Sequence, residues 1–316
     1  MGIEREKKNR SYPSYLALFE KGEFQEKLST VLAFLESCHL CPRQCSVNRI
    51  EGDKGTCGIG RWAVISGAHP HFGEESPLVG RSGSGTIFFS GCNLKCLFCQ
   101  NYEISQGLVG STASTEELAS LMLRLQEIGC HNLNLVTPTH VVPQILEALA
   151  SAIPEGFTLP IVYNTGGYDS IEIIRLLDGI VDIYMPDIKY LSPSDAKKYS
   201  DAEDYPQVIR TVMREMHRQV GDLEISPDGI AVRGLLVRHL VMPGSLDDTE
   251  RITRFLAEEI SKDTYVNIMA QYRPAYRASE YPPLDRPLSL SDWKKAVDIA
   301  RRAGLHRLDR PFYRLL

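Results

Sequence analysis

Apolar residues recur at two different periods along this chain, and the change from one to the other divides it. In residues 12–37, Leu16, Leu18 and Phe19, then Leu28, Val31, Leu32 and Leu35, fall at helical spacing on either side of Gly22. That spacing predicts a helical hairpin or one broken helix. From residue 85 the pattern becomes short apolar runs alternating with amphipathic stretches. The runs at 86–89, 133–136, 160–163, 181–185, 235–242 and 265–270 read as strands. Helices are expected at 114–128, 141–152, 170–177, 204–220, 247–260 and 291–303.

Local chemistry supports several of these elements. Ser114-Thr115-Glu116-Glu117 is a capping box, in which the serine hydroxyl and a glutamate carboxylate satisfy free amides of the first turn. In 204–220, Val208, Ile209, Val212, Met213 and Met216 share one face, and Pro206 falls in the first turn, where its missing N–H leaves no bond unmade. Ser226-Pro227-Asp228-Gly229 reads as a turn between short strands. Residues 64–84 carry several Gly and Pro and read as a connector. Six strands alternating with helices predict a parallel sheet with helices outside. The span after residue 84 is roughly 230 residues, short for a closed eight-fold barrel of typically ~250. The expected architecture is therefore an α/β fold: an open, partial (β/α)6 TIM-like barrel over 84–316, preceded by a small helical, cysteine-rich metal-binding extension over 1–83.

Composition narrows the partners. The chain has 316 residues, 43% hydrophobic and 24% charged, enough apolar material for one sizeable core. A net charge of −5 and the absence of a long basic run argue against nucleic acid as a partner. Arg301, Arg302, Arg307, Arg310 and Arg314 read as a solvated face with salt bridges. Residues 1–8 are charged and lack an apolar stretch, so no signal peptide is expected, and Glu6 stands where a myristoylation motif has Ser or Thr after Met1-Gly2. No apolar run is long enough to span a bilayer. These features lead to the expectation of a cytoplasmic protein without a membrane partner.

In a reducing compartment, eight cysteines read as metal ligands rather than disulfides. Seven fall in two tight groups. Cys92, Cys96 and Cys99, spaced C-x3-C-x2-C, follow the first strand of the alternating array directly. Three thiolates are too few to close a four-cysteine site, and a cubane held by three leaves one iron open. Cys38, Cys41, Cys45 and Cys57 form a four-thiolate set, which suits either a tetrahedral zinc or a second [4Fe-4S] cluster. Either would fold a segment with little core of its own. Cys130 reads as a buried small hydrophobe.

With Phe98 before the third cysteine, the motif resembles the C-x3-C-x-aromatic-C fingerprint of the radical S-adenosylmethionine (SAM) superfamily, a resemblance covering roughly residues 84–272. It implies a [4Fe-4S] cluster on Cys92, Cys96 and Cys99, with the open iron chelating the methionine amine and carboxylate of SAM. It also implies reductive cleavage to a 5′-deoxyadenosyl radical. A closer resemblance is to pyruvate formate-lyase activating enzymes, in a branch with a cysteine-rich N-terminal extension. Cys99-Gln100-Asn101 looks like that family's C-x-N, which implies that Asn101 contacts the cofactor. Asn164-Thr165-Gly166-Gly167-Tyr168 is similar to D-T-N-G-aromatic, and Met185-Pro186-Asp187-Ile188-Lys189 to M-L-D-L-K. The latter implies that Asp187 helps hold a monovalent cation and that Lys189 contacts a carboxylate. Val241-Met242-Pro243-Gly244 resembles V-V-P-G, where backbone meets adenine. The implied activity is hydrogen abstraction from a protein or peptide, with activation of a glycyl radical enzyme as the signature reaction and a flavodoxin- or ferredoxin-type electron donor.

Three departures stand out. Thr137-Pro138-Thr139-His140 replaces the Gly-Gly-Glu that binds the methionine amine, so Thr137 or backbone carbonyls would substitute. Asn164 replaces an aspartate, which removes a charge from the cation site. Gln271-Tyr272 lies where the family has Tyr-His, which makes Gln271 a candidate cofactor contact. His140 reads as a polar loop residue, and His239, on a strand, is a candidate to point into the barrel. Arg273, Arg277 and Arg286 read as surface groups, with an anionic substrate site as the alternative. A different class of function, a non-catalytic iron–sulfur electron carrier or redox sensor, would use both cysteine groups without cleaving SAM.

Overall fold

The computed structural model describes residues 13–309. The charged start at 1–8, the first residue of the expected hairpin, and Arg310 and Arg314 of the basic cluster lie outside the described residues. Among the described residues, nine strands form the sheet system: β1 Ala63–His71, β2 Ser84–Phe89, β3 Ser111–Ala113, β4 Leu133–Val136, β5 Ile161–Thr165, β6 Ile183–Pro186, β7 Glu224–Ile225, β8 Ala231–Leu240 and β9 Tyr265–Met269. Six of them pair in parallel in the order β2-β4-β5-β6-β8-β9. These are the six expected strands, each neighbour following the last in sequence through a helical crossover. The curved sheet is open: β1 covers the outer edge of β2 in antiparallel pairing and β3 pairs with β1.

The stretch expected to be a connector contains β1, and this corrects that expectation. Its residues are mostly half-buried rather than alternately buried and exposed, so the period-2 signal is weak. Pro70 lies where β1 has β2 as its only paired neighbour, the edge setting in which proline is tolerated.

The N-terminal hairpin forms as Ser14–Glu20 and Glu23–Ala33, broken at Gly22 with φ +78°. Tyr15, Phe24, Leu28 and Val31 are buried, and the second helix packs on the crossover helices Val142–Ala152 and Ile171–Leu176. The capping box before Thr115–Glu127 is formed in full, with Ser114 Oγ accepting from Glu117 N at 3.2 Å and Glu117 Oε2 from Ser114 N at 2.7 Å. Helix Tyr205–Val220 buries Ile209, Val212, Met213 and Met216, the face read from the sequence.

Apolar packing occurs in two shells. The outer one lies between sheet and helices. The inner one gathers Val162, Ile183, Met185 and Leu236 around Leu78, which the short helix Ser76–Val79 inserts beneath the barrel. Asn132, just before β4, donates to Leu78 O at 2.8 Å, so the plug closes the end where strands begin. The opposite end, where strands finish, is left to the loops that carry the chemistry.

Candidate functional site

The cysteine loop leaves β2 at Ser90 and turns sharply at Gly91, whose φ is +85°. A Cβ there would stand 2.6 Å from Cys57 O, so only glycine lets the N-terminal cysteine segment lie against this loop. His140 Nε2 bonds Ser90 O at 2.8 Å, and Asn93 Nδ2 donates to Tyr168 O at 2.6 Å, which fixes the loop to those after β4 and β5. All three cysteines are free thiols. Cys92 Sγ accepts from Leu94 N at 3.4 Å, Cys96 Sγ accepts from Ser200 Oγ at 3.0 Å, and Cys99 Sγ lies 3.3 Å from Ser105 Oγ. Burial, with repulsion from Cys96, pushes the Cys92 thiol up to about 11. Burial also raises Cys96, against the pull of Lys189 and the Ser200 hydrogen bond. Buried sulfurs that repel one another and already receive N–H and O–H donors are a donor set that suits a soft metal centre.

The three cysteines open onto one cavity of about 270 Å³ at the C-terminal ends of the strands. Asn101, Thr137, Asn164, Thr165, Asp187, Lys189 and Gln271 line the same cavity, so all seven candidate cofactor residues converge on it. Asn101 is exposed at the mouth, and its side chain caps nothing. Thr137 follows β4 at φ +59° and donates its N–H to Asn164 O at 2.9 Å. Thr165 Oγ1 donates to Asp169 Oδ2 at 2.7 Å, a buried carboxyl that also receives Thr139 and Tyr163, so Thr165 organises its loop. Gln271 is exposed, and its carbonyl receives Gln100 Nε2 at 3.1 Å, joining the last barrel loop to the cysteine loop. A second hollow of about 360 Å³, lined by Glu250, Arg254, Glu258 and Arg302 among others, contains none of the candidate site residues.

Asp187 and Lys189 form an ion pair, Lys189 Nζ to Asp187 Oδ2 at 2.7 Å. The residue missed in the sequence is Arg238, which also lines the cavity and donates from Nε to Asp187 Oδ1 at 2.8 Å and from Nη2 to Asn164 Oδ1 at 2.6 Å. Burial pushes the Asp187 carboxyl up, but Arg238 and then Lys189 outweigh it and hold it at about 2. Lys189 is shifted upward: burial opposes the charge, and Asp187, then Cys96, overcome it.

His239 points the other way. It is fully buried behind the sheet, with Nδ1 3.0 Å from Ile188 O and Nε2 2.9 Å from Thr249 Oγ1. Alternation along β8 therefore gives the interior to its neighbour Arg238. The period-2 rule carries the signal: Arg238 shares the inward face of β8 with Leu236 and Leu240. His140 is likewise buried, held to Ser90 rather than facing the cavity. Arg273, Arg277 and Arg286 are exposed and absent from the cavity lining.

In the N-terminal group, Cys38, Cys41 and Cys57 are buried and Cys45 is half-buried. Cys45 Sγ accepts from Thr56 N at 3.4 Å. Burial is the main cause lifting Cys41 to about 12, with Cys57 and Cys38 adding repulsion, and it raises Cys57 as well. Arg49, fully buried, donates to Gly60 O and His140 O and pulls against the rise at Cys57. Arg43 reaches from this motif to Asn93 O at 2.9 Å and Ser200 O at 2.9 Å, so the two cysteine segments are clipped together. Among the described residues, no three His, Cys, Asp or Glu side chains converge as ligands of a single metal ion, and no helix is long and apolar enough to cross a membrane.

Comparison with known proteins gives consistent results. The family model described as the radical SAM superfamily matches residues 86–256. "Uncharacterized protein MJ0674" of Methanocaldococcus jannaschii is 33% identical over 289 residues, covering 88% of this chain and 78% of that protein. "Uncharacterized protein MJ0808" of the same organism is 24% identical over 302 residues, covering 84% of this chain and 81% of that protein.

Proposed function

This chain belongs to the radical SAM superfamily, and on that premise we propose that Cys92, Cys96 and Cys99 would hold a [4Fe-4S] cluster with one iron not ligated by the chain, and that the adjoining cavity would take SAM. The observation that carries the reading is the convergence of three thiols, one cationic Lys189 and a ring of polar side chains on one hollow at the strand ends. When bound, the cluster and SAM supply reductive cleavage to a carbon radical. The chain's own residues do the rest. Ser200, Ser105 and the Leu94 amide stabilise sulfur charge. Lys189 offers a cation to the methionine carboxylate, and Asp187 orients it. Thr137, Asn164 and Asn101 present hydrogen-bonding groups around the remainder of the ligand.

The substrate in this reading is a protein or peptide that reaches the open side of the partial barrel, with a glycyl radical enzyme as the specific candidate and a flavodoxin- or ferredoxin-type donor supplying the electron. The extension before residue 84 carries a second metal on Cys38, Cys41, Cys45 and Cys57, zinc or iron–sulfur. The Arg43 contacts, which clip the two cysteine segments together, support a structural or electron-relay role. Anaerobic reconstitution with iron and sulfide, followed by dithionite and SAM, tests the proposal. Release of 5′-deoxyadenosine supports it, and a reduced cluster that leaves SAM intact returns the protein to the electron-carrier class.

A further inference from the structure

We propose that Arg238 is a resident cation at the cavity floor, taking the place of the monovalent metal ion that resemblance to the activating enzymes implies beside Asp187. The inference rests on the cavity being the SAM site. A monovalent ion there would need the oxygens of Asp187 and its neighbour on β5, since hard cations take oxygen ligands. Both positions are filled by one guanidinium. Arg238 Nε bonds Asp187 Oδ1 at 2.8 Å and Nη2 bonds Asn164 Oδ1 at 2.6 Å. The other carboxylate oxygen, Oδ2, receives Lys189 Nζ at 2.7 Å. The residues present therefore do not fit a metal ion: the site's oxygens already have charged or polar donors, one of them tethered to a strand.

The substitution of asparagine for aspartate at 164 follows from the same geometry. A metal ion gains from two carboxylates, whereas a guanidinium already facing Asp187 and, through Nη1, Glu74 Oε2 at 3.5 Å needs only a neutral acceptor for its remaining edge. Register secures the arginine. Arg238 stands opposite Asp187 in an isolated bridge and opposite Asn267 on β9, and Asn267 Nδ2 donates to Glu75 Oε1 at 2.8 Å from the plug segment. With Asp187 locked by Arg238, Lys189 gives one hydrogen to the carboxylate and keeps its other two for an anionic ligand.

The test uses the reconstituted full chain in potassium, sodium and choline chloride at one ionic strength, with melting temperature and SAM affinity as separate readouts. The wild type is expected to melt within about 1 °C in all three and to bind SAM within about twofold. Arg238→Met, which keeps the stem and removes the charge, should melt lower by roughly 5–10 °C and bind SAM about tenfold more weakly. Potassium or sodium, but not choline, should restore part of both. Arg238→Lys should retain a cation and show no selective response. Selective gain by the wild type in potassium or sodium overturns the inference, as does an Arg238→Met variant that matches the wild type. Should Arg238→Met fail to fold, the wild-type and Arg238→Lys arms still decide. The melting arm needs no SAM, so a wild type that ignores SAM would count against the site reading and not against the cation assignment.

Discussion

Ser200 donates its hydroxyl hydrogen to the sulfur of Cys96 at 3.0 Å, across 104 residues of chain. Tyr190 OH lies 2.8 Å from the same serine oxygen, and Arg43 holds the Ser200 carbonyl, so the donor is fixed in place. A hydrogen bond to a ligating sulfur stabilises the more negative, reduced state of a cluster. Ser200→Ala is expected to lower the reduction potential by about 20–60 mV, read by a redox titration followed by electron paramagnetic resonance. An unchanged potential would separate Ser200 from the cluster.

Gly91 joins the two cysteine segments by lacking a side chain. Gly91→Ala should lose at least about 2 kcal/mol in a urea titration, from left-handed backbone plus the close Cys57 carbonyl. Gly129→Ala is the control, with φ +93° and nothing within 4 Å of the added carbon. It should lose only the backbone part, roughly 1 kcal/mol. Equal losses would mean that the contact with Cys57 adds nothing.

Acid should weaken the fold through two histidines. Burial holds both His140 and His239 at about 4, below the ordinary 6.5. Between those values the unfolded chain binds more protons than the folded one, so stability rises with pH through this window and falls as pH is lowered. From pH 7 to pH 5 the expected loss is about 2 kcal/mol per histidine. Replacing His239 with glutamine should reduce the pH-dependent drop in the denaturation midpoint by that histidine's share. A His239→Gln variant with the same pH dependence as the wild type would contradict the buried neutral assignment of His239.

Asp187 and Lys189 should stay charged wherever the protein is assayed. With the carboxyl depressed to about 2, its stabilising contribution is present above the ordinary 3.8 and disappears only as pH falls through about 2. SAM affinity, measured by equilibrium dialysis, should therefore be flat from about pH 6 to pH 8 as far as this pair is concerned. Asp187→Asn leaves Lys189 without its carboxylate and Arg238 with only the more distant Glu74, and should destabilise the fold by about 3–5 kcal/mol. Lys189→Met should weaken SAM binding about tenfold or more. Undiminished affinity would remove Lys189 from the ligand.

Much of this arrangement was legible in the sequence because it rests on periodicity and local spacing. The six parallel strands announce themselves as apolar runs, and the capping box at Ser114 and the face of Val212 and Met216 follow from helical spacing. The C-x3-C-x2-C spacing located the site, since residues just after strand ends share one face of a parallel sheet. What escaped was what long-range pairing decides. β1 is built from half-buried residues, only its first three pair with β3, and its partner β2 lies beyond a plug segment. Arg238 became part of the site only when β8 paired with β6 and brought it opposite Asp187. Leu78 and Glu75 enter the barrel because the segment after β1 folds back beneath it, which no local pattern encodes.

The account depends most on the cluster having one iron that the chain does not ligate. Reduced, reconstituted protein should be examined by electron paramagnetic resonance before and after SAM is added, with Cys38, Cys41, Cys45 and Cys57 intact and, separately, with those four replaced by alanine. A shifted spectrum on SAM addition in both samples is the predicted result, and Cys96→Ala should abolish the signal that shifts. A cluster signal that SAM leaves unaltered would contradict the account.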